Sequence, residues 1–201
     1  KSGLVYHPMN TGYQATEVSY MLEDAEPTII ICSKNQKSIV ESLLPGKRAK
    51  AILTLEYDGT GTLMEGCSTY SENAAISICD DEDMAALLYS SGTTGKPKGI
   101  MLSHKNLSSN AKALSRAWGF SNKDRLLHAL PIYHVHGLFI ALGPVLLTGA
   151  SMSWHIRFDV DSVMRTLTEC TVMMGVPTYY TRLLDCAKIN RESCENMRVF
   201  I

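Results

Sequence analysis

The sequence predicts an α/β fold with a mostly parallel sheet flanked by helices. Three observations point there. Apolar residues switch repeatedly between helical spacing and short strand-like runs. A glycine-rich stretch at residues 90–99 directly follows an apolar run, and open parallel sheets present their ligand sites beyond the carboxyl ends of strands. Finally, 201 residues, 45% of them apolar, suffice for one substantial domain with a real core.

The elements follow in order. Residues 1–6 are strand-like. Val18, Met21, Leu22 and Ala25 form a helical stripe. Residues 28–32 are a β-branched run after Pro27, residues 35–44 a second helix closed by Pro45-Gly46, and residues 51–55 a strand. Residues 58–83 are polar and rich in turn formers, so they read as connecting loop with room for one strand. Residues 84–89 are a buried strand feeding the glycine stretch. Leu107, Ala111 and Leu114 mark a helix with Ser103 as N-cap. Residues 125–130 are a strand, 137–147 a helix and 151–154 a strand. Val160, Val163, Met164 and Leu167 form a helical stripe capped by Asp159. Residues 172–175 are a strand, Tyr180, Leu183, Leu184 and Ala187 a last helical face, and residues 198–201 begin a further strand. That unreturned strand, and a start without methionine, suggest a piece of a larger protein.

Residues 90–99 read Ser-Ser-Gly-Thr-Thr-Gly-Lys-Pro-Lys-Gly. Glycines allow a tight turn and close backbone approach to a ligand. Successive N–H groups, hydroxyls and lysines around such a turn suit a polyphosphate. The Walker spacing fails, because Pro97 and Ile100 stand five residues after Gly92 and Gly95. A flexible surface loop is the bland alternative for a bare glycine pattern, but the whole string is far more specific. It closely resembles the phosphate-binding signature of the adenylate-forming superfamily, the acyl-CoA synthetase and AMP-binding enzymes.

A second string, Leu130-Pro131-Ile132-Tyr133-His134-Val135-His136-Gly137-Leu138, resembles that superfamily's aromatic- and histidine-rich core motif. Its particular form is similar to the malonyl- and methylmalonyl-CoA synthetases, and to oxalyl-CoA synthetases. A third string, Gly175-Val176-Pro177-Thr178-Tyr179-Tyr180-Thr181-Arg182-Leu183-Leu184, is similar to the malonyl branch. Phe158-Asp159, Met197-Arg198 and the stretch 118–128 with its Lys-Asp-Arg step fit the same branch, so the resemblance covers essentially the whole chain.

The resemblance implies an ATP-dependent acid–CoA ligase. A carboxylate attacks the α-phosphorus of ATP, pyrophosphate leaves, and coenzyme A displaces AMP from the acyl-adenylate. It assigns nucleotide binding to Ser90, Ser91, Gly92, Thr93, Thr94, Gly95, Lys96 and Lys98, with Lys98 also catalytic as a cation on the leaving phosphates. Thr93 is a catalytic residue too and the candidate contact for Mg²⁺, a hard cation that takes oxygen donors. His134 gates the carboxylate. His136 and Arg182 are the substrate pair: a guanidinium fork holds a carboxylate bidentately, and an imidazole adds one bond. A buried Arg182 facing His136 would mark a dicarboxylate pocket, and an Arg182 pointing to solvent a monocarboxylate. Residues 1–201 are expected to be part of one N-terminal domain, with the C-terminal domain absent and the fragment alone inactive. Oxalyl- or medium-chain acyl-CoA synthetase and a non-catalytic nucleotide-binding module stay open as alternatives.

Composition narrows the partners. Lys+Arg 19 against Asp+Glu 20 gives a net charge of -1, which argues against a nucleic-acid partner. Residues 138–147 are too short and interrupted for a membrane span. The six cysteines (Cys32, Cys67, Cys79, Cys170, Cys186 and Cys194) form no CxxC pair and read as reduced thiols of an intracellular protein. The malonyl branch leans the expectation toward the mitochondrion. Nothing marks a dimer surface.

Overall fold

The structure is a computed structural model that describes residues 2–44, 49–71, 73, 75–90 and 97–201. The chain divides into two compact units, residues 9–76 and residues 1–8 with 77–201. Both are α/β.

In the smaller unit, helix α1 (Ala15–Ala25) leads to strand β1 (Ile29–Cys32), helix α2 (Lys37–Leu43), strand β2 (Ala51–Thr54) and helix α3 (Thr62–Cys67). The α1 stripe buries Met21 and Leu22. β1 and β2 pair in parallel from Ile29–Ala51 to Cys32–Thr54. Where α3 lies the sequence reads as connecting loop with room for one strand, because α3 buries none of its residues and so carries no apolar stripe. It is fixed instead by a reciprocal pair of bonds. The Thr54 N–H donates to Thr62 Oγ1 at 2.9 Å and the Thr62 N–H to Thr54 Oγ1 at 3.0 Å. Gly61, at φ +125, turns the chain into α3 where a Cβ would strike the Thr54 carbonyl.

The larger unit holds two sheets. Strands β3 (Met84–Ser90) and β4 (Lys98–Ser103) are antiparallel partners. β4 is an addition to the sequence reading, which passes from the glycine stretch directly to the next helix. Tyr6 bridges β3 on its other side, with N–H and carbonyl both bonded at 3.0 Å to residues 85 and 87. Helix α4 (His104–Ala117) then starts on the expected cap. The Asn106 N–H donates to Ser103 Oγ at 3.2 Å, and the Ser103 N–H to Asn106 Oδ1 at 3.0 Å.

The second sheet carries the core. Its order is β6-β5-β7-β8 and every pairing is parallel, from β5 (Arg125–His128), β6 (Ser151–Trp154), β7 (Val172–Met173) and β8 (Val199–Phe200). Between β5 and β6 the chain makes a π-helical turn, His136–Ala141, that continues into α5 (Leu142–Thr148). Helix α6 (Val160–Thr166) follows β6, and the Ser162 N–H donates to Asp159 Oδ1 at 2.9 Å, the expected cap. Helix α7 (Pro177–Leu184) follows β7 with Pro177 in its first turn.

β5 is buried on both faces. Leu127 and Ala129 pack with Phe158, Val163, Leu167, Met173 and Leu183 on one side. Leu126 and Leu130 pack with Phe120, Ala141, Val145, Val172 and Met174 on the other. The sheet's amino-terminal edge is tied by Asp124, which is buried and takes Arg198 Nε at 2.7 Å and Nη2 at 3.0 Å, Thr171 Oγ1 at 2.8 Å and the Ser121 N–H at 2.8 Å. Burial pushes this carboxyl up, but those donors outweigh it and hold it down to about 2 against an ordinary 3.8. Arg198 also caps the α4 end, Nη1 donating to Trp118 O at 2.6 Å and Nη2 to Gly119 O at 3.2 Å.

A depressed carboxylate stabilises the fold above its unfolded pKa, and that contribution is lost as pH falls through the folded one. Asp124 therefore contributes about 2 kcal/mol at neutral pH, fading between pH ~4 and ~2. Asp124→Asn is expected to lower the urea midpoint at pH 7 and to flatten its fall toward pH 2.5. An unchanged acid limb would remove Asp124 as its cause.

Candidate active site

β3 ends at Ser90 and β4 begins at Lys98, and the two are register partners. Opposed residues in an antiparallel pair lie about 5 Å apart between Cα atoms. Ser90 is half-buried and Lys98 exposed, so a hydroxyl and an ammonium stand side by side at the end of the strand pair. Ser91, Gly92, Thr93, Thr94, Gly95 and Lys96 lie outside the described residues.

The histidine motif occupies the carboxyl end of β5. His128 closes the strand, Ala129 and Leu130 stay buried, and the chain turns at Pro131. The His134 N–H reaches back to Pro131 O at 3.4 Å, and the Leu138 N–H donates to His134 O at 2.9 Å. Gly137 explains the motif's one fixed small residue. A Cβ there would collide with the Pro131 carbonyl and meet Leu130 Cβ at 3.1 Å. Only glycine lets the π-helical turn close onto the strand end, and short π segments recur at functional sites.

This places the predicted histidines differently. His134 is exposed, its ring 4.6 Å from Tyr133. His136 is half-buried as the first residue of the π turn, and burial pushes its imidazole below the ordinary 6.5. Both are therefore neighbours on one loop, one exposed and one half-buried.

α7 meets this loop through Tyr179. Its hydroxyl donates to Ala129 O at 3.3 Å and its ring stacks on Phe158 at 3.9 Å and 11°. Burial raises the Tyr179 phenol above its ordinary 10, with nearby Tyr133 adding to the rise and Arg182 opposing it. Arg182 is exposed, and its guanidinium lies over the Phe158 ring, 5.0 Å from the centroid. It is not the buried clamp that the sequence allowed for, because α7 turns Leu183 to the core and leaves position 182 on the open face. Among the described residues no hydrogen bond joins Arg182 to His136.

Two site features escape sequence reading. His128 is fully buried on a face otherwise apolar, its ring 4.7 Å from Trp154, and neither ring nitrogen has a hydrogen-bond partner among the described residues. Burial, with repulsion from His136 added, pushes it down to about 4. His7 lies beside Tyr89, 5.1 Å between rings, with Nδ1 2.9 Å from Leu87 O and Nε2 without a partner among the described residues. A polar residue inside an apolar strand run was the available signal for His128; His7 had none.

The six cysteines are free thiols. Among the described residues no cluster of three or more His, Cys, Asp or Glu side chains could hold a metal ion, and no helix is long and apolar enough to cross a membrane.

With this geometry in place, the comparisons decide the family. The AMP-binding enzyme family matches the chain over residues 1–201. The chain belongs to that family. Among solved structures, ATP-bound MatB from Rhodopseudomonas palustris superposes with a TM-score of 0.93 at 42% identity, over 98% of this chain and 39% of that one. A malonyl-CoA ligase in a ternary product complex with methylmalonyl-CoA and AMP gives 0.75 at 29%, over 98% and 40%. The mitochondrial malonate–CoA ligase of Xenopus laevis is 30% identical over 191 residues, covering 91% of this chain and 32% of that protein. The chain thus spans about a third of the length of the curated relatives it matches. These neighbours have the adenylate-forming α/β N-terminal domain, the fold class expected from the sequence.

The close approach at Gly137 yields a test. Gly137→Ala is expected to cost roughly 1–3 kcal/mol as overpacking and to displace His136. Thermal unfolding of the variant checks the first, and loss of ligand-dependent protection of the turn in hydrogen exchange the second.

Proposed function

We propose that the protein carrying this chain is an ATP-dependent acid–CoA ligase of the malonate type, and that residues 1–201 are part of its N-terminal AMP-binding domain. The observation that carries this is the 42% identity and 0.93 TM-score with ATP-bound MatB over nearly the whole chain. The malonate-named relative and the methylmalonyl-CoA complex support the substrate class.

In the first half-reaction the acid's carboxylate attacks the α-phosphorus of ATP and negative charge builds on the departing pyrophosphate. Ser90 and Lys98, side by side at the end of the β3–β4 pair, are suited to that charge as a hydroxyl donor and a cation. The intervening Ser91, Gly92, Thr93, Thr94, Gly95 and Lys96 complete the phosphate cradle in this reading. Losing one such donor costs about 3 kcal/mol of transition-state stabilisation. The Thr93 hydroxyl is the oxygen donor offered to Mg²⁺, which would neutralise phosphate charge. His134 gates the acid's entry and His136 faces its carboxylate. Coenzyme A then takes the acyl group from the adenylate. The Xenopus relative supports a mitochondrial setting.

Arg182 would hold the distal carboxylate from the open face of α7. Its contact with Phe158 is worth only about 0.5–1 kcal/mol at an exposed site, so its removal tests binding rather than folding. Its exposure also favours a second reading, a medium-chain monocarboxylate. Carboxylate-dependent ATP–pyrophosphate exchange by the full-length protein separates the two. Exchange strongest with malonate, and lowered about tenfold or more in Arg182→Ala, is the expected result. Strong exchange with octanoate, unaffected by Arg182→Ala, would replace malonate by a monocarboxylate.

A further inference from the structure

His128 is unused by the reading above. It is 0% exposed, and both ring nitrogens lack partners among the described residues. Side chains two apart on a strand share a face, so His128 lies with Leu126 and Leu130, against the π turn and α5. The hydrophobic cluster on that face gives its two nitrogens no partner, and an apolar residue of similar shape would fill the space without an unsatisfied donor. Stacking on Trp154 does not require nitrogens. The polar ring therefore calls for a polar partner.

The backbone offers a candidate. Gly137 presses the π turn against Pro131 and Leu130, directly beyond His128, and His136 is the residue that begins that turn. His136 is near enough that its charged form would disfavour charging of His128. Both imidazoles are neutral at pH 7, and a neutral imidazole has one donor and one acceptor nitrogen.

We propose that His128 is a positioning residue: its ring N–H donates to one nitrogen of His136 in the acid-bound state, which fixes His136 as the tautomer whose other N–H faces the substrate carboxylate. The inference rests on the acid–CoA ligase reading for its substrate, but not for the His128–His136 pairing itself. A neutral donor chain of this kind selects an anionic oxygen over a carbonyl or hydroxyl without burying a second charge.

The test uses the full-length protein and its His128→Leu, His136→Ala and doubly substituted forms, saturated with malonate. Imidazole ¹⁵N shifts report the His136 tautomer. A single tautomer in the parent that becomes a mixture in His128→Leu supports the proposal; unchanged His136 shifts overturn it. In ATP–pyrophosphate exchange, His128→Leu is expected to raise KM for malonate about tenfold, the worth of one charge-assisted hydrogen bond, with KM for ATP unmoved. In the His136→Ala background the same substitution should add nothing; a full additive loss overturns the pairing. His128→Asn and His128→Gln, which present an amide near the Nδ1 and Nε2 positions, should between them restore part of the effect, and they carry the test if the leucine form does not fold. Absence of malonate-dependent exchange in the parent would defeat the malonate reading alone, while the ¹⁵N shifts, recorded without added acid if none binds, still decide the pairing.

Discussion

The structure of the larger unit depends on β5 being buried on both faces. A strand inside a parallel sheet must bury both sets of side chains, and its two ends are the places where polar groups return. At the amino-terminal end Asp124 gathers Arg198, Thr171 and the Ser121 N–H, which joins the starts of β5, β7 and β8. At the carboxyl end the chain leaves the sheet through His128 and the Pro131 turn. At one end the Asp124 carboxylate is charged and held by several donors; the other end is open, its buried His128 ring without a partner among the described residues. The candidate site sits at the open end, as expected for parallel sheets.

This polarity explains which sequence features were legible. Asp124 and Arg198 fell within two separate stretches that fit the malonyl branch, and the structure joins them into one ion pair across the sheet. The caps at Ser103 and Asp159 were readable because a cap is a local contract between a side chain and an N–H three residues on. The inner strands β5 and β7 were readable because double burial writes unbroken apolar runs such as Leu126–Leu127 and Val172–Met173. What escaped was set by contacts distant in sequence or by small departures from regularity. β4 follows the glycine stretch with Ile100 and Met101 exposed, so it shows no alternation. α3 rests on a two-threonine exchange rather than a stripe. The π turn keeps nearly the same apolar spacing as an α-helix, and only the Gly137 contact with Pro131 makes it visible.

The candidate site divides in the same way. The glycine stretch and the histidine motif could be found because their residue types are chemically unusual for a loop. The setting of each residue could not. Arg182 belongs to a recognisable string, yet its exposure follows from the helical phase that commits Leu183 and Tyr179 to the sheet. The pairing of Ser90 with Lys98 likewise needs the register of a hairpin whose second strand is not evident in sequence.

The charge pattern around the histidine loop carries the chemistry furthest. His128 and His136 are both pushed toward the neutral form by burial, so neither offers a fixed cation to an incoming acid. Arg182, a cation exposed on α7, is linked to the loop through Phe158, Tyr179 and Tyr133. A monocarboxylate about to attack phosphorus is better served by neutral donors, because a buried cation would stabilise the ground-state anion and blunt its nucleophilicity. A second carboxylate, which does not react, has the opposite requirement and gains from a guanidinium fork. Under the malonate reading proposed above, neutral imidazoles inside and a guanidinium at the rim would give the two ends of the acid different electrostatic environments, with Arg182 at the end that does not react.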